Sequence, residues 1–446
     1  MTTVLYFIIA ISVLVVIHEY GHFWVARRCG VKVIRFSVGF GKPFWSVRDR
    51  HGTEFSIAPL PLGGYVKMVD EREGPVPEAL LDQAFTRKPA WQRIAIASAG
   101  PIANFIFAFA AYWFLAVAGT TGVAPVVGKL TPDGAADMAG IRSGDEILAI
   151  NGEEVSTWQE VNWQLVSYIG EDTTLNLRLL SDEGGQREVQ IPVQHWLSDQ
   201  DMPDPMSSLG LEPRRLALAP VIGTVEDGGA AAAAGMQVGD HVLSVNGRPV
   251  ESWTQWVDEI QIAAGRTLDV LVERSGQQHT LTLTPASKTR DDKTIGYVGT
   301  APQMPEVPQS WLRTSHAGFF QGIVIGLEKT ADYIVFTLES LWKMIAGDVS
   351  VKNLSGPITI AKVAGASASG GLESFISFLA LLSVSLGVLN LLPVPMLDGG
   401  HIVFYLAEMI RGKPLPDKVQ DVAVRFGLML IMCLMLVAFY NDISRL

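Results

Sequence analysis

Four apolar runs limit this chain more than any other feature. Residues 4–17 read VLYFIIAISVLVVI without a charge, and further runs occupy 94–118, 375–395 and 426–439. Each is near the roughly 20 residues that cross hydrocarbon, the fourth being short. In hydrocarbon a run of this kind satisfies its backbone only as a helix. The first run does not fit a signal peptide. No basic residue precedes it and no small-residue cleavage site closes it; two histidines and a glutamate follow instead. The fold class expected is therefore a polytopic α-helical membrane protein with four transmembrane helices. Composition agrees: 48% of residues are hydrophobic and 18% charged, against about 25% charged in soluble domains. A net charge of −11 argues against a nucleic-acid partner. The two cysteines, Cys29 and Cys433, supply neither a disulfide framework nor a Cys-rich metal site.

Lysine and arginine in the short connections set the direction of the spans. Arg27, Arg28, Lys32, Arg35, Lys42, Arg48, Arg50, Lys67, Arg72, Arg87, Lys88 and Arg93 lie between the first two runs. Arg411, Lys413, Lys418 and Arg425 lie between the last two. Both regions are expected in the cytoplasm. The long stretch from 120 to 370 and both termini are expected on the other side. Within it, residues 318–347 are apolar but carry Glu328, Lys329, Asp332, Glu339 and Lys343. That mixture suits an amphipathic helix lying on the membrane surface.

The outer stretch contains a repeat. APVVGKL…AADMAGIRSGDEILAINGEEVSTW in 124–158 returns as APVIGTV…AAAAAGMQVGDHVLSVNGRPVESW in 219–253, at a constant offset of 95 residues. Gly140 matches Gly235, Asp145 Asp240, Asn151 Asn246 and Trp158 Trp253. Asn-Gly between alternating apolar segments predicts a tight hairpin. The two copies resemble PDZ domains of the bacterial protease type, which bind extended peptides along a sheet edge. Spacers or steric filters are the plainer alternative.

His18-Glu19-Tyr20-Gly21-His22 fits H-E-x-x-H and ends the first span. On a helix, residues four apart lie about 40° apart around the axis, so both imidazoles face one point. Glu19 sits near the same face and can act on a water there as a base. Two imidazoles and a carboxylate would leave zinc one open position. Such residues at the end of a membrane span are costly unless functional. A second motif, Asn390-Leu-Leu-Pro393-Val-Pro395-Met-Leu-Asp398-Gly399-Gly400-His401, lies in the third apolar segment. Pro393 and Pro395 interrupt the helical hydrogen-bond ladder there, which is tolerated where backbone lines a site. Asp398 falls at the same membrane level as the histidines and is the expected third ligand. Asp49 and Glu54 in the charged loop, and His401, are alternatives. A histidine six residues past His22 would mark another zincin class, but that residue is Arg28.

At these residues the chain resembles the site-2 protease family, which pairs HExxH in the first span with L-D-G in a later one, here Leu397-Asp398-Gly399. The likeness extends to the PDZ-like pair, to Gly100-Pro101-x-x-Asn104 and to Leu354-Ser355-Gly356-Pro357. The resemblance implies a zinc metalloendopeptidase of the bacterial inner membrane. In it His18, His22 and Asp398 hold Zn2+, Glu19 is the catalytic base and Asn390 holds substrate backbone. It also implies periplasmic PDZ domains. The implied partner is a single-span transmembrane substrate, already trimmed outside the membrane, of the anti-sigma-factor type or a signal-peptide remnant, cut in envelope stress signalling.

A helix is a poor protease substrate, because its carbonyls are bonded and shielded. An extended substrate needs a template. The segments 31–47, with Gly39 and Gly41, and 55–67, with Gly63 and Gly64, read as membrane-associated β-hairpins whose edge accepts the substrate as an added strand. Asn390, Pro393, Gly39 and Gly41 are the expected substrate-binding residues. Trp24, Trp45 and Trp91 suit an interfacial belt. The expected division is 1–28 (first span), 29–93 (β region), 94–118 (second span), 119–212 and 213–305 (PDZ domains), 306–372 (surface region), 373–409 (third span), 410–424 (loop) and 425–441 (fourth span). A non-catalytic membrane PDZ scaffold is the rival reading. A metal transporter would need polar residues in several spans, and FGLMLIMCLMLVAF in the fourth has none.

Overall fold

The computed structural model describes residues 2–444 except 73, 199, 201–202, 291–292 and 306. Among the described residues, four helices are long and apolar enough to cross a membrane, and the protein is a multi-pass membrane protein. Helix α1 (Thr2–Arg28) leads into β1 (Val33–Phe40), β2 (Trp45–Arg48), β3 (Glu54–Ile57) and β4 (Leu60–Met68), and α2 (Ala90–Ala118) returns. The four strands form one sheet in the order β2-β3-β1-β4. This corrects the hairpin expectation. β1 does not pair with β2; it pairs in parallel with β3 (Phe36 with Phe55) and antiparallel with β4 (Val38 with Gly64). Phe23 of α1 docks the sheet, meeting Phe36 and Phe55 edge-on with ring centres 5.7 and 5.5 Å away. β4 is thereby an edge strand lying along α1.

After α2, the strands β5 (Thr120–Val123) and, much later, β20 (Leu312–Ser315) pair into a ribbon, Val123 opposite Leu312. The ribbon closes the neck of two outer units. The first holds β6 (Val127–Leu130), α3 (Ala135–Met138), β7 (Glu146–Ile150), β8 (Glu153–Glu154), α4 (Trp158–Ser167), β9 (Thr173–Leu180), β10 (Gln186–Val193), α5 (Pro205–Leu209) and β11 (Leu211–Pro213). The second holds β12 (Ile222–Val225), α6 (Ala230–Ala233), β13 (His241–Val245), β14 (Arg248–Pro249), α7 (Trp253–Gln261), β15 (Leu268–Arg274), β16 (Gln277–Leu283), β17 (Ala286–Arg290), β18 (Lys293–Tyr297) and β19 (Thr300–Pro302). Their main sheets run β10-β9-β7-β8 and β16-β15-β13-β14, one order twice. Asn151 and Asn246, both at φ 49°, turn the equivalent hairpins. Each has its own apolar core, around Leu175 and Leu177 in one and Val270 and Trp256 in the other.

Helix α8 (Phe319–Ala346) crosses the outer end of α2. Gly322 and Gly326 press against Val117 and Trp113, and Tyr333 stacks on Tyr112 at 5.3 Å. Its Lys343 Nζ donates to the carbonyls of Ser167 and Ile169 (both 3.0 Å), capping the C-terminal end of α4. Helix α9 (Pro357–Ser369) precedes α10 (Leu372–Leu391), α11 (Asp398–Arg411) and α12 (Asp417–Ser444). The third apolar segment is thus two helices, broken over 392–397. The fourth helix starts earlier than its apolar run, because Asp417 to Arg425 continue its turns in polar sequence. Asp442 of α12 accepts from the Gly356, Ile358 and Thr359 amides at the start of α9, fixing the outer end of α12.

Candidate metal centre

The two motifs meet at one point. His18 Nε2 and His22 Nε2 lie 3.2 Å apart, and Asp398 Oδ2 lies 3.2 and 3.5 Å from them. His18, His22 and Asp398 form the one group of three or more His, Cys, Asp or Glu suited to a metal among the described residues. Ligands about 2.0–2.1 Å from a tetrahedral zinc stand roughly 3.3–3.4 Å apart, so these spacings fit that ion. The donor chemistry fits as well. His22 Nδ1 sits 2.7 Å from the Ile96 carbonyl. A carbonyl only accepts, so Nδ1 carries the proton and Nε2 offers a lone pair. The buried Asp398 Oδ2 has no hydrogen-bond donor among the described residues. A cation would satisfy this convergence of acceptors.

Local sequence explains the placement. Small residues let α1 and α2 cross closely: a Cβ on Gly21 would collide with the Ala99 carbonyl, and one on Gly100 would stand 2.8 Å from His18 Nε2. Asp398 opens α11, where the helix N-terminus favours an anion. The chain reaches it through Met396 at φ 92°, a strained backbone for a side-chain-bearing residue. It then turns so tightly that a Cβ on Gly400 would lie 2.7 Å from Pro395 Cα. Glycines 399 and 400 are what allow the carboxylate to follow a proline break directly.

The alternative ligands are engaged elsewhere. Arg27 binds Asp49, Arg35 Nη2 binds Glu54 Oε2 at 3.0 Å, and the His401 ring stacks on Tyr405 at 6.3 Å. Glu19 lies half-buried outside the ligand group. Beside it runs β4, and a Cβ on Gly64 would stand 3.3 Å from Glu19 Cγ. Asn390 lies in the last turn of α10, one residue before its end, and Pro393 is exposed within the break. Gly39 does not take the place beside Glu19. It stands one residue past Val38, the partner of Gly64, and its backbone presses on the Ala58 carbonyl; Gly41 faces Pro59. Asn104, one turn past Gly100 on α2, is fully buried against His18; in the sequence it stands out only through the family-like run.

The model of peptidase family M50 matches residues 6–434. "Regulator of sigma-E protease RseP" of Salmonella typhimurium is 45% identical over 441 residues, covering 99% of this chain and 98% of its own. The Escherichia coli K12 protein of the same name is 45% identical over 440 residues, with the same coverage. A "putative zinc metalloprotease" of Vibrio cholerae is 45% identical over 443, again covering 99% of this chain and 98% of its own. The chain therefore belongs to peptidase family M50, the site-2 proteases, and is a metalloprotease.

Proposed function

We propose that this protein is a zinc-dependent intramembrane endopeptidase that hydrolyses a peptide bond within the transmembrane segment of a pre-trimmed, single-span protein. An anti-sigma factor in envelope stress signalling is the substrate type proposed, in keeping with relatives named as regulators of sigma-E. The observation that carries the reading is the convergence of His18, His22 and Asp398, with the edge strand β4 running beside Glu19 of the same helix. When bound, zinc polarises the scissile carbonyl and makes a water more acidic. The chain's own groups do the rest. Glu19 takes a proton from the attacking water and passes it to the leaving amide nitrogen. The free edge of β4 holds the unwound substrate as an added strand, leaving its scissile bond exposed beside Glu19. Asn390, at the break between α10 and α11, donates to a backbone carbonyl that unwinding has freed, and Pro393 lines the same stretch.

The repeated outer units are PDZ domains, standing in the periplasm of a bacterial inner membrane. The division proposed is the one drawn from the sequence, with 119–212 and 213–305 as the pair. They act as a size gate, so that a bulky outer domain keeps an untrimmed substrate from the metal centre. The matching element orders, the closed neck at β5 and β20, and the basic residues at the opposite end of the bundle support this arrangement. The test is to reconstitute the protein with a single-span reporter, remove zinc by chelation, restore it, and map the cut by mass spectrometry. Zinc-dependent cleavage inside the apolar span is expected. Cleavage confined to the flanks, or indifferent to zinc, would overturn the reading.

A further inference from the structure

Asn104 has no role in the chemistry above, yet it is placed with unusual economy. It is fully buried, its Nδ2 lies 3.2 Å from His18 Nδ1, and its Oδ1 has no hydrogen-bond partner among the described residues. Its own carbonyl accepts from Ser383 Oγ at 2.9 Å, tying this turn of α2 to α10. His22 is oriented differently, by the Ile96 carbonyl, which is part of the backbone and cannot change its chemistry.

For His18 to present a lone pair from Nε2 towards His22 Nε2 and Asp398 Oδ2, its proton must sit on Nδ1. The polar side chain facing Nδ1 is the Asn104 amide. An amide nitrogen there donates, and would force the proton onto Nε2, pointing it into the ligand cluster. The amide oxygen there accepts, and fixes the tautomer that a metal needs. The two settings differ by a half-turn of the terminal amide, whose oxygen and nitrogen have nearly the same shape. From the buried amide, its orphaned oxygen and its contact with His18, we infer that Asn104 is a positioning residue. It accepts a hydrogen bond from His18 Nδ1–H through Oδ1 and so commits His18 to metal binding through Nε2. The inference rests on the zinc reading of the site.

The test compares zinc affinity of the purified full-length protein, by competition with a chromophoric chelator, for wild type, Asn104→Leu and Asn104→Asp. Cobalt-substituted spectra report ligand geometry in parallel. Leucine keeps the volume and removes the acceptor; aspartate keeps an acceptor and no donor. Removing such an outer partner typically weakens a metal 10–100-fold. Asn104→Leu is expected to fall in that range, and Asn104→Asp to bind zinc at least as tightly as wild type, with a wild-type cobalt spectrum. Zinc affinity unchanged in Asn104→Leu would overturn the inference. So would a folded Asn104→Asp protein that binds more weakly than wild type, a result still available if the leucine variant does not fold. Wild type that binds no zinc would instead sink the metal reading itself.

Discussion

Gly64 lies directly against Glu19: a Cβ at residue 64 would stand 3.3 Å from Glu19 Cγ, 2.8 Å from Val15 Cγ1 and 2.8 Å from the Ser37 carbonyl. Two of these neighbours belong to the helix that carries the metal-site histidines, and the third is backbone of β1. Gly64→Ala should therefore push β4 away from α1 while leaving His18, His22 and Asp398 in place. Cleavage of a single-span reporter is expected to fall by up to about 10²-fold, the loss that a 1 Å misplacement can produce, with zinc content unchanged. Wild-type cleavage by Gly64→Ala would show that the approach of β4 to Glu19 is unimportant.

The second outer unit offers a pH test away from the membrane. Asp240 is fully buried, accepts from Arg274 Nε and Nη2 at 2.7 Å each, and from the Gln237 amide at 2.8 Å. Burial pushes its carboxyl pKa up, but the Arg274 hydrogen bonds and the Gln237 amide outweigh burial and hold it below the usual range. A lowered folded pKa means stability that is complete above the unfolded value, about 3.9, and lost as pH falls through the lower folded one. Hydrogen exchange in 240–274 should quicken below about pH 4. Asp240→Asn should bring comparable opening at pH 7, since breaking a buried pair costs about 3–5 kcal/mol. Exchange in wild type that stays flat down to pH 2, with the unit folded, would contradict this.

How much of this was legible beforehand follows from which contacts are local. HExxH is a helical spacing, so His18 and His22 declare their shared face in the sequence. Asp398 could be matched to them because the direction of the spans brings both motifs to one level. The pairing of β1 with β3 rather than β2 was not legible, since a parallel register such as Phe36 with Phe55 depends on the sheet docking on Phe23. The same docking decides that Gly64, and not Gly39 or Gly41, stands beside Glu19. The role inferred for Asn104 was hidden for a related reason: an asparagine in a membrane helix announces a polar contact, but its partner lies 86 residues away.

The neck predicts the outcome of removing the outer units. Val123 faces Leu312 across the ribbon, and the Ala124 amide donates to the Trp311 carbonyl. Deleting 125–310 and joining the ends with a short turn should therefore leave the bundle intact. The variant is expected to cut untrimmed and trimmed reporters at similar rates, whereas wild type is expected to favour the trimmed one. A folded variant that keeps the wild-type preference, or that cuts neither reporter, would remove the size gate from the account.

Glu19 is proposed to act as the base at a metal held by other residues. The most direct measurement compares wild type with Glu19→Gln in reconstituted membranes, counting bound zinc and timing reporter cleavage in the same samples. Because Glu19 lies outside the ligand group, Glu19→Gln should retain one zinc per chain. Its cleavage rate should drop by about 10²–10⁴, the usual contribution of general acid–base catalysis. Undiminished cleavage by the zinc-loaded variant, or active wild type without zinc, would show that Glu19 is not the base of a zinc-dependent site.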